Sequence, residues 1–160
     1  MIVSTKKISP CLWFDNRIEE AVNFYISVFG GNILNSACYP AGTPMPEGSV
    51  MMITFRLQDE EFVALNGGPH FKFNEAVSFM VKCKDQAEVD KYWNALTADG
   101  GQESQCGWLK DRYGLSWQIT PTALLTCNTD QDPAKAARAM QAMMTMKKID
   151  IAAIEKAHAG

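Results

Sequence analysis

The sequence predicts an α+β fold built from one unit used twice, a strand, a helix and then antiparallel strands, followed by a helical C-terminal extension. Three observations predict it. Two amphipathic stretches each end in a glycine pair, Gly30-Gly31 and Gly100-Gly101. Leu12 aligns with Phe79, Phe24-Tyr25 with Tyr92-Trp93, and the glycine pairs with one another, always at an offset of about 67 to 70 residues. That period is too long for a solenoid and suits a duplicated module. After Pro121 the composition shifts toward alanine and methionine, both good helix formers.

Taken in order, Lys7–Phe14 reads as a first strand, with Pro10 at a strand start or an unpaired edge position. Asp15 or Asn16 is placed to cap a helix over Arg17–Phe29, where Ile18, Ala21, Val22, Tyr25, Val28 and Phe29 recur at three- and four-residue steps. Gly30-Gly31 ends that helix without strain. Ile33–Cys38 is a strand, and Pro40–Gly48, with three prolines and two glycines, is a loop. Val50–Leu57 and Glu61–Asn66 form a hairpin around Gln58, Asp59 and Glu60. Asn66-Gly67-Gly68-Pro69 turns the chain away from it.

The second copy opens with a strand over Ala76–Cys83. Asp85 and Glu88 give a capping-box-like helix start, and Val89, Tyr92, Trp93 and Leu96 supply the apolar stripe. Glu103–Leu109 must hold one or two short strands. Asp111 to Gly114 is a tight turn whose aspartate can bond its own backbone and is otherwise read as facing solvent, and Leu115–Thr120 is the last strand. In it Trp117 and Ile119 share one face, and Ser116, Gln118 and Thr120 the other. Asp132-Pro133 starts a helix over Ala134–Lys147, and Asp150 caps a short one over Ile151–Ala157. Methionines 140, 143, 144 and 146 at helical spacing are core or a binding stripe. The division expected is one domain over 1–123, with modules at about 5–70 and 74–123, and an extension over 124–160 that docks on the repeat or on a second subunit.

With 160 residues the chain suffices for one ordinary core. A net charge of -3 offers no basic stripe, so nucleic acid and anionic membranes are not expected partners. No apolar run is long enough for a signal peptide or a spanning helix, and a soluble, cytoplasmic protein is expected. Five scattered cysteines without a C-x-x-C pair read as reduced and mostly buried.

The stretches PCLWFDNRIEEAVNFYISVFG near the start, VALNGGP from Val63, VSFMVKC from Val77, QCGWLKDRYGLSWQITP from Gln105 and the tail AMQAMMTMKKIDIAAIEKA cover almost the whole chain. Together they resemble the PhnB-like family, often named for a 3-demethylubiquinone-9 3-methyltransferase domain, within the vicinal oxygen chelate (glyoxalase, bleomycin-resistance and dioxygenase) superfamily. The resemblance implies that each βαβββ module curls into a cup. It also implies that metal-dependent relatives carry His, Glu or Gln on the first and last strand of each module. The matching positions here are Ser9 or Pro10, Ala64, Ala76 and Gln118, of which only Gln118 has donor chemistry. His70 in a Gly-Pro loop and His158 at the C-terminus do not replace the rest. No metal and no cofactor are therefore expected. The Gly-Gly doublets read as turns and helix stops rather than a nucleotide cradle.

Strand parity turns Leu12, Phe14, Phe79 and Val81 toward their helices and Cys11, Trp13, Ser78 and Met80 into the cup. With Asn66, Trp108 and Gln118 these form an aromatic, apolar cavity bearing a few amide and hydroxyl groups, the usual make-up of a small-molecule pocket. It suits an aromatic or quinone-like ligand stacked on indole. Cys106 lacks a neighbouring base to activate it, and no catalytic residue can be named. The expectation is a metal-free homodimer that binds a small metabolite. The alternatives are a glyoxalase-like metal-dependent lyase or transferase, the methyltransferase of the family name, and an interaction protein acting through the Met-rich tail.

Overall fold

The computed structural model describes residues 6–160, so the start of the first module at about residue 5 lies outside the described residues. The chain divides into two units, one ending at Lys72 and one running from Phe73 to Gly160.

The first unit runs β1 (Cys11–Phe14), α1 (Ile18–Phe29), β2 (Gly31–Cys38), β3 (Val50–Leu57) and β4 (Glu60–Asn66), in sheet order β1-β4-β3-β2. The outer strand β1 is parallel to β4, and the remaining pairs are antiparallel. One face is closed: Leu12, Phe14, Ile53, Phe55, Leu57, Phe62 and Ala64 are buried, as are Ala21, Val22 and Tyr25 of α1. Burying each large side chain contributes about 1.5–3 kcal/mol. The first strand is shorter than expected, because the chain pairs only from Cys11 and Pro10 contributes just a carbonyl, accepting from Val63 N. The helix start also differs. Neither Asp15 nor Asn16 caps α1; Asn16 and Arg17 both take left-handed φ values of 56°, and the Asn16 N–H is given to Asn66 instead.

The second unit repeats the plan with β5 (Phe79–Cys83), α2 (Gln86–Thr97), β6 (Gln102–Glu103), β7 (Trp108–Lys110) and β8 (Ser116–Pro121), in order β5-β8-β7-β6. Again the first and last strands are parallel and the others antiparallel. The two helices begin at Ile18 and Gln86, so the duplication read from the sequence is present in the fold. The expected strand from Ala76 begins only at Phe79, since Asn74 Oδ1 accepts the Ala76 N–H and turns the chain first. At α2, Asp85 Oδ1 accepts the Glu88 N–H at 2.9 Å and Glu88 Oε2 accepts from Lys84 N at 2.9 Å, the reciprocal start that the sequence suggests.

Three helices follow: α3 (Thr122–Asn128), α4 (Pro133–Met144) and α5 (Ile151–Ala159). The first was not foreseen, and α4 stops three residues short of Lys147, at Thr145. Asp132 and Asp150 cap α4 and α5 as expected. The extension docks on the second module of its own chain. Gln86 donates to Ile149 O at 3.0 Å and accepts from Ile151 N at 2.9 Å, while Cys106 N and Gly107 N donate to Met146 O and Lys147 O at 2.8 and 2.7 Å. Leu124, Cys127, Ala139, Ile149 and Ile154 form its core, joined by Met143 and Met146. Met140 and Met144 are exposed, so the methionine stripe is half core and half surface. All five cysteines are free thiols, but only Cys83 and Cys127 are buried, which corrects the expectation of mostly buried cysteines. Among the described residues no helix is long and apolar enough to cross a membrane.

Candidate functional site

Each sheet has a helix-covered face and an opposite face, the inner wall of its cup. In the first sheet, register puts Cys11 beside Val63 and Thr54, and Trp13 beside Leu65 and Met52, all on the cup face. Trp13 is already committed there. Its indole Nε1 donates to Gly68 O at 2.8 Å, Phe71 meets the ring edge-on at 4.9 Å, and the ring lies so close to Gly67 that any Cβ at that position would collide with it. Asn66 pairs with Phe14, so it falls on the helix side and not beside Trp13. Its Oδ1 accepts from Asn16 N at 2.9 Å and its Nδ2 donates to Val50 O at 3.3 Å, while its own carbonyl takes the Tyr39 hydroxyl. Trp13 and Asn66 thus fasten the loops at this end of the sheet. Cys11 is exposed, and desolvation by its surroundings pushes its thiol above the ordinary value, so it is not an activated nucleophile.

The second sheet gathers the other four candidates. Met80, Gln118 and Trp108 occupy one continuous row across β5, β8 and β7. Ser78 stands just ahead of β5, and its hydroxyl accepts from Gln118 Nε2 at 2.9 Å. Met80 is 49% exposed and Trp108 half-buried, so an apolar edge and an indole remain open on either side of the amide. The next row pairs Lys110 with Ser116. Together with Glu75, Gln102 and Ser104 they line a groove of about 160 Å³ that Trp108 also borders. Lys110 Nζ is in ion contact with Glu75, and that hydrogen bond holds the Glu75 carboxyl below its ordinary value. The Ser116 hydroxyl is buried with no hydrogen-bond partner among the described residues. Sequence reasoning placed Ser116 on the polar face of its strand; Lys110 was legible by its two-residue step from Trp108, whereas nothing local marks Glu75.

The turn between β7 and β8 differs from its sequence reading. Asp111 is 3% exposed: Oδ1 accepts from Tyr113 N at 2.8 Å and Leu115 N at 3.1 Å, and Oδ2 accepts from the Trp117 indole at 2.9 Å. A buried carboxylate with these donors is a structural anchor rather than a solvent-facing turn residue. Arg112 reaches Asp99 at 2.9 Å. The remaining buried thiols are unreactive: desolvation, aided by Glu88 and Asp85, pushes Cys83 up to about 12, and desolvation raises Cys127.

Tandem βαβββ sheets, each with a helix on one face and an open inner wall on the other, define a vicinal oxygen chelate fold. Residues 6–120 match the family model described as 3-demethylubiquinone-9 3-methyltransferase, and the chain belongs to that family. A putative 3-demethylubiquinone-9 3-methyltransferase, the PhnB protein of Bacillus cereus, is 33% identical with a TM-score of 0.66, over 73% of this chain and 100% of that one. A Pseudomonas aeruginosa protein is 20% identical with a TM-score of 0.60, over 73% and 98%. The fosfomycin resistance protein FosX of Listeria monocytogenes shares the fold at 11% identity and a TM-score of 0.52, over 74% and 94%. Among curated proteins there is no match.

The FosX protein has been solved with Mn(II) and sulfate. The residues here do not fit a metal of that kind. Ala64 and Ala76 end in methyl groups, Ala64 is fully buried on the helix side with Leu12, and the Gln118 amide is bonded to Ser78. One neutral amide does not hold a divalent ion that wants three or four N, O or S donors. Among the described residues no group of three His, Cys, Asp or Glu is placed to add them. Nor do the residues fit a methyl donor bound in a glycine-rich cradle. Gly30 and Gly100 lie at helix ends and Gly67 is pressed on the Trp13 ring, so none opens a strand-to-helix loop beneath a parallel sheet.

Proposed function

We propose that this chain is a metal-free, PhnB-like binding protein that takes a small aromatic or amphipathic metabolite on the cup face of its second sheet and works as a homodimer in the cytoplasm. The observation that carries the reading is the row of Met80, Gln118 and Trp108 with Ser78 bonded behind the amide, an apolar edge, a polar centre and an indole on one wall. Such a sequence of surfaces suits a flat ligand with one polar substituent, stacked on indole. The edge strands β2, of eight residues, and β6, of two, leave backbone groups for a second copy to cover.

Crystals of untreated protein test the reading. Electron density lying over Gln118 and Trp108, lost in Trp108→Ala, is the expected result. Stoichiometric zinc, nickel, manganese or iron in the purified protein, or the same ligand retained by Trp108→Ala, would overturn it. Sedimentation at micromolar concentration is expected to give twice the chain mass, and a monomer refutes the dimer.

A further inference from the structure

We infer that the groove of Lys110 and Ser116 is an acid-binding subsite, so that the ligand of the second cup is a compact aryl acid with its carboxylate on this pair and its ring against Trp108. The inference rests on the reading of that cup as a ligand site. It is carried by the unused hydrogen-bonding capacity of the groove. An ammonium has three N–H donors, and Lys110 directs one to Glu75. The buried Ser116 hydroxyl has no partner among the described residues. The acidic neighbour across the strand pair is engaged, since Glu103 Oε1 accepts from the Trp93 indole at 2.9 Å and Oε2 faces Lys147 at 3.7 Å. What is left over on this row is the remaining ammonium N–H groups and a hydroxyl that can donate, on two residues paired across β7 and β8, and charged donors select an anion even with Glu75 and Glu103 on the rim.

Size and spacing narrow the class. A groove of about 160 Å³ is close to the roughly 150 Å³ that takes one benzene ring. The Lys110–Ser116 row lies two residues along the strands from the Trp108–Gln118 row, about 7 Å. A carboxylate on the first row therefore leaves room for one aromatic ring on the second. Glu75 is 61% exposed at its side chain and holds Lys110 from a segment without strand structure. Exposed ion pairs contribute little, so the Glu75 carboxylate is a readily displaced stand-in for that of the ligand.

The test is titration of the full chain, followed by calorimetry or chemical-shift changes, with phenylacetate, phenylacetamide and phenethylamine. The acid is expected to bind at least about tenfold more tightly than the amide, because charge-assisted hydrogen bonds are roughly twice as strong as neutral ones. The amine is expected not to bind. Lys110→Met should weaken phenylacetate about tenfold and Ser116→Ala a few-fold, while Glu75→Gln should tighten it a few-fold by removing the internal competitor. Lys110 and Glu75 lie at the surface and Ser116→Ala removes one atom, so all three variants are expected to fold. Acid and amide binding equally, with both lost in Gln118→Leu, would overturn the acid subsite and leave the cup as a binding site. Failure of all three compounds would overturn the cup itself and the subsite with it.

Discussion

At the end of β4 the amide of Asn66 is engaged through both its oxygen and its nitrogen, and the Trp13 indole is pinned beneath Gly67 and Phe71. On the corresponding strand of the second unit, β8, Ser116 keeps an unpartnered hydroxyl, and beside it on β7 Trp108 keeps an open ring. The two sheets have the same strand order, the same parallel outer pair and the same covering helix. Their difference lies in what the polar side chains do. In the first unit they hold loops; in the second a buried aspartate in the turn holds the strands, and on the cup wall the Ser116 hydroxyl is left without a partner among the described residues. Duplication thus permits division of labour, one copy spending its chemistry on the fold and the other presenting it.

The turns give the largest test of this contrast. Asp111→Ala strands two backbone N–H groups and the Trp117 indole in a buried setting, and about 3–5 kcal/mol of stability should be lost in urea unfolding. The exposed Asp59, in the corresponding turn of the first unit, should change stability by less than about 0.5 kcal/mol when made alanine. Equal losses would end the comparison. Gly67→Ala sharpens it from the other side: its Cβ must displace the Trp13 ring, costing about 1–3 kcal/mol, with a shift in tryptophan fluorescence. Gly114→Ala, at φ 84° with no atom near its Cβ, should cost only the backbone strain of about 1 kcal/mol and leave fluorescence unchanged.

The smallest effect concerns the extension. A hydrogen bond from Asp132 N, then one from His158, lowers the Asp130 carboxyl below its ordinary value. A depressed carboxylate contributes stability above the unfolded value of about 3.9 and loses it as pH falls through the lower folded value. Amide-exchange protection at residues 130–132, relative to the intrinsic rate at each pH, should therefore fall as the pH drops below about 4. Asp130→Asn should flatten that dependence while leaving the core of the second unit unaffected.

Wherever the governing interaction was local, the fold was legible. Gly30-Gly31, the Asp85–Glu88 start and the caps at Asp132 and Asp150 involve residues within four positions, and the structure places each as read. The unforeseen helix α3 begins after Pro121 without a side-chain cap, and its seven residues are too few to show a period. Asp111 was misread because a carboxylate in a turn faces water by default; its burial depends on an indole six residues away. Parity put Met80 on the cup side and Gln118 on the polar face of its strand, since alternation within strands is a local rule, while Trp108 lay in a stretch with no strand defined to place it. Asn66 was grouped with the cavity without a parity argument, and its face is set by pairing with Phe14 some fifty residues earlier. Glu75 reaches Lys110 across 35 positions of chain, and no spacing in the letters announces such a contact.

The two backbone bonds from Cys106 and Gly107 to Met146 and Lys147 put the indole of Trp108 one residue from the helical tail. Gly107, at φ 82°, seats Ile149 close to its Cα, so the seating of that isoleucine fixes the root of the strand. The placing of the indole is thereby borrowed from a segment that belongs to neither sheet. A chain without this tail would have to brace an indole at this position by other means, and the amplitude of its motion is where the two are expected to diverge.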